Sequence, residues 1–153
     1  EIYHQIHKLK VNSVYECGFG AGYHLINIYK INNNIDVNGC ELSKKQVDLG
    51  IDLFNLDKYD FFEKLEIMDF SSTEINLTKK YDFVYTHTVL MHLGDDKCEQ
   101  FLKNMKLISN NYVFLIENNT HHNFIKLTKK IFHGYEKINS SKYNHNGILL
   151  KKV

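Results

Sequence analysis

From about residue 13 onward, short runs of strand formers alternate with segments whose apolar residues recur at helical spacing, and this alternation restricts the chain more than any other feature. Val14 and Tyr15 enter a first strand that stops at Gly18, Gly20 and Gly22, after which Tyr23, Leu25, Ile26, Ile28 and Tyr29 fit a helix. Asn32-Asn33-Asn34 breaks that helix. A second strand, 35–41, leads into Ser43-Lys44-Lys45-Gln46, which has the S-x-x-Q form of a capping box, and Val47, Ile51 and Phe54 follow at helical spacing. Strands at 65–68 and 81–86 come next, ending at Asp69 and near His87. Asp95 is placed to cap a helix carrying the stripe Cys98, Phe101, Leu102, Met105 and Ile108. A strand at 112–116 ends at Glu117; a helix at about 122–131 and strands at 135–138 and 148–152, the last two forming a hairpin, complete the pattern. Such alternation predicts an α/β fold, a mostly parallel sheet with helices on both faces. Ligands of such sheets bind beyond the carboxyl ends of the strands, where strand order reverses.

Composition narrows the class. The 153 residues suit a single domain spanning 1–153. The 19 basic and 18 acidic residues nearly cancel, which argues against a nucleic-acid or polybasic membrane surface. No apolar stretch approaches the ~20 residues of a membrane helix. Cys17, Cys40 and Cys98 form no C-x-x-C pair, so the expectation is a reduced, cytoplasmic chain without structural zinc. There is no proline, and every basic residue is lysine.

The strongest local signal is Glu16-Cys17-Gly18-Phe19-Gly20-Ala21-Gly22, an acidic residue followed by glycines at every second position between strand and helix. Missing side chains let the backbone approach a ligand, and the next helix offers N–H donors and positive potential. A dinucleotide fingerprint needs glycine three residues after Gly20, where Tyr23 stands, so NAD-dependent oxidoreduction is disfavoured.

The string E-C-G-F-G-A-G resembles motif I, [DE]-x-G-x-G-x-G, of the class I S-adenosylmethionine-dependent methyltransferases. Gly39-Cys40-Glu41-Leu42-Ser43, Met68-Asp69-Phe70, the segment Tyr81 to Leu93, and Asn111 to Glu117 resemble later stretches of small-molecule members, in the right order. The resemblance covers about residues 11–118 and implies a three-layer Rossmann-like sandwich, with S-adenosyl-L-methionine as cofactor. It implies that Glu16 holds the motif I turn near the methionine amino group, with Gly18, Phe19 and Gly20 under the cofactor. Glu41 would accept both ribose hydroxyls, since a carboxylate offers only acceptors. Leu42 would pack on the adenine, Asp69 would accept its amino group with Met68 beside it, and the Phe70 N–H would reach a ring nitrogen. Thr86 would offer its carbonyl to the methionine amino group, with His87 nearby.

The reaction implied is methyl transfer to an oxygen or nitrogen of a small-molecule acceptor, by in-line displacement with mainly positional catalysis. The alternative is a non-catalytic cofactor-binding subunit. A general base within hydrogen-bond reach would come from His87, Glu117, His121 or His122. His92 reads as packing beneath the fourth strand and His24 as part of the first helix; no H-E-x-x-H zinc motif occurs. The missing prolines exclude the [DNS]-P-P-[YFW] and Pro-Cys motifs of DNA-base methyltransferases, and the missing arginines remove bidentate guanine readout. Members of the family usually carry N-terminal lid helices before the first strand. Here they are expected to be missing, so that they were trimmed, or a homodimer mate or partner subunit supplies the lid, or the acceptor site is open.

Overall fold

The computed structural model describes residues 1–118, 122–138 and 147–153. In chain order it contains α1 (Ile2–Leu9), β1 (Ser13–Cys17), α2 (Tyr23–Ile31), β2 (Asp36–Glu41), α3 (Lys44–Phe54), β3 (Leu65–Ile67), β4 (Tyr81–His87), α4 (Asp95–Ile108), β5 (Ser109–Ile116), α5 (Phe124–Ile131), β6 (Tyr135–Ile138) and β7 (Gly147–Lys152), with three short 3-10 turns between them. The strands form one sheet in the order β3-β2-β1-β4-β5-β7-β6. Neighbours from β3 to β5 are parallel, and β7 runs antiparallel to both β5 and β6. This is the mostly parallel sheet with an antiparallel C-terminal hairpin that the residue pattern predicts.

Alternate residues of each strand point to opposite faces and divide the core in two. Val14, Phe83, Tyr85 and Phe114 pack with Ile2 and Ile6 of α1, Leu25 and Ile28 of α2 and Val47 of α3. Tyr15, Val84, Val113 and Leu115 pack on the other side with Phe101, Leu102 and Met105 of α4 and Phe124 and Ile131 of α5. The result is three layers, and strand order reverses between β1 and β4.

One element is added to the expected pattern, and three local expectations need correction. A helix, α1, precedes the first strand; it buries Ile2, Gln5 and Ile6 and ends at Lys10, whose backbone is left-handed. The Ser43 capping box does not form, although Ser43 is the N-cap of α3, because its N–H is taken by the Glu41 Oε1 carboxylate oxygen at 2.9 Å. Gly94, not Asp95, caps α4, and Asp95 in its first turn meets His122 Nδ1 at 3.0 Å. β5 begins three residues earlier than its apolar run, because Ser109 pairs with Tyr81 before a register irregularity.

Candidate functional site

β1 and β4 separate at their carboxyl ends, and the glycine turn after β1 fills that opening. Gly18, Gly20 and Gly22 all have positive φ, at 79°, 57° and 79°, a conformation that side-chain-bearing residues avoid. The Gly18 and Phe19 N–H groups both donate to the Cys40 carbonyl, at 2.8 and 3.1 Å, which fastens the turn to β2. The glycines nevertheless differ in role. A Cβ on Gly18 would lie 2.5 Å from a Val89 methyl, so this glycine accommodates the loop after β4, whereas a Cβ on Gly20 would meet nothing within 4 Å. That open space belongs to a cavity of about 450 Å³ at the carboxyl edge of the sheet.

Ten of the eleven residues expected to bind cofactor line this cavity: Glu16, Gly18, Phe19 and Gly20 from the first turn, Glu41 and Leu42 from the end of β2, Met68, Asp69 and Phe70 from the end of β3, and His87. Thr86 is the exception. It is fully buried and directs its hydroxyl to Glu117 Oε1 at 3.2 Å, leaving His87, Thr88 and Val89 to form the wall.

The three acidic residues on the wall differ in state. Glu16 is 1% exposed and accepts the Tyr85 hydroxyl at 2.9 Å. Burial pushes its pKa up to about 8, opposed by that hydrogen bond and reinforced by the nearby Glu41 charge. Glu41 accepts the Gly20 N–H on Oε2 and the Ser43 N–H on Oε1, each at 2.9 Å. Each oxygen keeps a further lone pair for a ligand hydroxyl. Asp69 spends Oδ1 on the Ser71 hydroxyl and N–H, and the Ser71 hydroxyl holds its carboxyl below the usual range despite partial desolvation. Its Oδ2 faces only the exposed Lys97, at 3.4 Å, and is the oxygen available to an amino group. No lysine lines the cavity, so its fixed charge is wholly negative and suits a cationic ligand.

The base candidates separate clearly. His87 lines the cavity. Glu117 does not; its carboxylate is 3% exposed and accepts the Thr86 hydroxyl and the Val89 and Leu90 N–H groups at 3.2, 3.1 and 3.0 Å. It thereby fixes the loop in which Thr88, a β-branched residue, is held at φ 57°. His122 is buried in that loop's support, with Nε2 3.0 Å from the Leu90 and Leu93 carbonyls. His121 lies outside the described residues.

Two further histidines line the cavity: His92, expected to pack beneath the fourth strand, and His24, which lies on the helix expected for it. His92 is exposed at its rim. His24, on the first turn of α2, places Nε2 3.1 Å from His87 Nδ1, and its own Nδ1 is 2.8 Å from the Tyr3 hydroxyl of α1, which also accepts from Asn27 Nδ2 at 3.0 Å. Burial lowers the pKa of both rings, that of His24 to about 4 with His87 adding to the effect, so both are neutral near pH 7. The only sequence hint of this pairing was the position of His24 two residues beyond the last glycine. Among the described residues no cluster of three or more His, Cys, Asp or Glu could hold a metal, and no helix is long and apolar enough to cross a membrane.

No protein-family model matches the sequence, and no curated protein matches it. Solved structures do. The chain resembles magnesium protoporphyrin IX methyltransferase from Synechocystis PCC 6803, solved with bound SAM, at TM-score 0.76 and 15% identity over 99% of this chain and 76% of that one. It resembles the methyltransferase domain of a bacterial Hen1 (CtHen1-CN) at TM-score 0.73 and 15% identity, over 99% and 95%. It also matches an O-methyltransferase from a trans-AT PKS multienzyme of Brevibacillus brevis, in complex with S-adenosyl-L-homocysteine, at TM-score 0.58 and 23% identity; 73% of this chain covers only 38% of that one. With the strand order and the reversed β7, these likenesses establish that the chain has the Rossmann-like fold of the S-adenosylmethionine-dependent methyltransferases.

Proposed function

We propose that this protein binds S-adenosylmethionine in the cavity and catalyses methyl transfer to an oxygen or nitrogen of a small-molecule acceptor. The observation that carries the reading is Glu41, a strand-end carboxylate beside the glycine turn with a lone pair free on each oxygen. Two neighbouring ribose hydroxyls need two such acceptors. Gly20 supports the reading, because the space above it is open where a Cβ would stand, and so does a wall that carries carboxylates and no lysine.

Bound there, the cofactor would supply an activated methyl on a sulfonium, and the chain's residues would bind and align it. Glu41 holds the ribose; Asp69 Oδ2 and the Phe70 N–H hold the adenine edge, and the exposed side chain of Leu42 covers its face. Glu16 receives the methionine ammonium. Its proton leaves as that cation arrives, because a positive neighbour favours the ionised carboxyl. Thr86 has its hydroxyl engaged by Glu117, which leaves its carbonyl for the methionine amino group beside the His87 to Val89 wall. Glu117 acts in this reading as the loop's anchor and not as a base.

The reading takes the cytoplasm as its compartment, supported by three free, buried cysteines. Calorimetry with S-adenosylhomocysteine tests it: micromolar binding that Glu41→Ala weakens is expected, and the absence of binding, or NADH bound in its place, would overturn it.

A further inference from the structure

The cofactor cavity has a neighbour. A second cavity of about 290 Å³ opens on the other side of α2, between α1 and the end of that helix, and Tyr3 lines it. His87 and His24 line the first. The row His87 Nδ1 to His24 Nε2, 3.1 Å, and His24 Nδ1 to the Tyr3 hydroxyl, 2.8 Å, therefore spans from one cavity to the other.

The chemistry of the row fixes how it can work. A neutral imidazole carries one donor and one acceptor nitrogen, so two linked rings must point their N–H groups the same way along the row. The Tyr3 oxygen accepts from Asn27 Nδ2 at 3.0 Å, and its contact with His24 Nδ1 has two directions; the one that lets the row take a proton from the cavity is that in which the His24 Nδ1–H donates to the second Tyr3 lone pair. Tyr3 then turns its own proton away from His24. In this polarity His87 Nδ1–H donates to His24, and His87 Nε2 keeps its lone pair for the cavity.

The walls of the first cavity narrow the acceptor. Glu41 and Asp69 contribute negative charge there, and the one lysine in contact with them, Lys97, lies outside the lining, so an acceptor arriving as an anion is repelled. An uncharged hydroxyl enters freely but must lose its proton.

We infer that His87, His24 and Tyr3 form a proton wire that carries the proton of an uncharged hydroxyl acceptor from the cofactor cavity to the second cavity; this rests on the methyl-transfer reading above. As the acceptor oxygen bonds the methyl carbon, the sulfur–methyl bond breaks and sulfur keeps its electron pair. The acceptor's O–H proton goes to His87 Nε2, the His87 Nδ1 proton to His24 Nε2, the His24 Nδ1 proton to the Tyr3 oxygen, and the Tyr3 hydroxyl proton to water. His87 is the residue that touches the acceptor; His24 and Tyr3 are positioning residues that act through it. The titratable groups around the row are Tyr3 itself on α1, Tyr23 on α2, Glu16 on β1 and Tyr85 on β4.

Imidazole nitrogen NMR on the unliganded protein across pH 4 to 9 tests the wire without turnover. Tyr3→Phe touches His24 and leaves His87 untouched, yet it is expected to shift the His87 titration and its tautomer balance. The same substitution in a His24→Gln background is expected to have no effect on His87. His87 titrating identically with and without the Tyr3 hydroxyl overturns the wire. Should Tyr3→Phe fail to fold, Asn27→Leu, which removes the donor to Tyr3, gives the same readout. Calorimetry with S-adenosylhomocysteine on the same samples separates the two readings: no binding with coupled rings removes methyl transfer, and with it the acceptor role of the wire, whereas binding with uncoupled rings removes the wire alone.

Discussion

Glu41 and Glu117 are both carboxylates at the carboxyl edge of the sheet, both gripped by backbone N–H groups, and yet they occupy opposite situations. Glu41 takes one N–H on each oxygen and stands on the cavity wall. Glu117 takes two N–H groups and a hydroxyl, is 3% exposed, and stands behind the wall. The lesson is that lone pairs left over, and not the presence of a strand-end carboxylate, distinguish a ligand site from a structural clamp.

The largest effect expected from this contrast is on stability. Glu117→Ala leaves the Val89 and Leu90 N–H groups and the Thr86 hydroxyl without their acceptor, at about 1–3 kcal/mol each. Urea unfolding should therefore show a loss of about 4 kcal/mol, and a loss below about 1 kcal/mol would break the contrast. Gly20→Val should act on binding, because a branched side chain at φ 57° both strains the turn and projects into the cavity. S-adenosylhomocysteine affinity should fall at least about a hundredfold, roughly 2.7 kcal/mol, and a fully competent variant would discredit the glycine turn as the cofactor's cradle. Glu41→Ala should cost about 1–3 kcal/mol of binding, while stability changes by less than about 1 kcal/mol because the released N–H groups can turn to water in the open cavity.

Glu16 sharpens the comparison through pH. Its pKa rises from an ordinary 4.5 to about 8 in the fold. The folded state thus holds the proton more tightly, and the stability this gives is fully present below pH 4.5 and lost as pH climbs through 8. Binding of an ammonium group runs the other way and should strengthen about fivefold between pH 7 and pH 8. Glu16→Gln should flatten both profiles, and an unchanged slope would detach Glu16 from the ligand's ammonium. Smallest of all, Leu42→Ser should weaken binding about threefold, by the lost apolar cover, with no change in thermal midpoint.

Much of this contrast could be read from the sequence, but unevenly. β1, β2, β4 and β5 announce themselves because their residues alternate in or fill both halves of the core, as Val14 and Tyr15 do. Glu41 was legible because a carboxylate between a strand and a helix start has few other reasons to be there. The fixed spacing of motif I likewise marked Gly20, though not that Gly18 serves packing against Val89. α1 was not legible; with eight residues it offers only Ile2 and Ile6 as buried apolar positions, too few to establish a period. The fates of Glu117, Thr86 and His24 depend on partners 31, 31 and 63 residues away, and no local pattern records such distances. Asp95 has the residue type of a cap, but His122 lies 27 residues on and claims its carboxylate.

The outermost strand on one side, β3, has three residues and is the shortest of the described strands. Unpaired strand edges are templates for other chains, and the longer an edge, the more hydrogen bonds it can lend to an aggregate. Here the long strands β4 and β5 are enclosed on both sides, and the exposed rims carry Glu66 on β3 and Glu136 and Lys137 on β6. At β3 an intruding strand would find three backbone positions and the Glu66 charge among them. The sheet that opens a cavity at its centre is thereby guarded at its margins against polymerisation, a protection that matters in a chain with 13% aromatic residues.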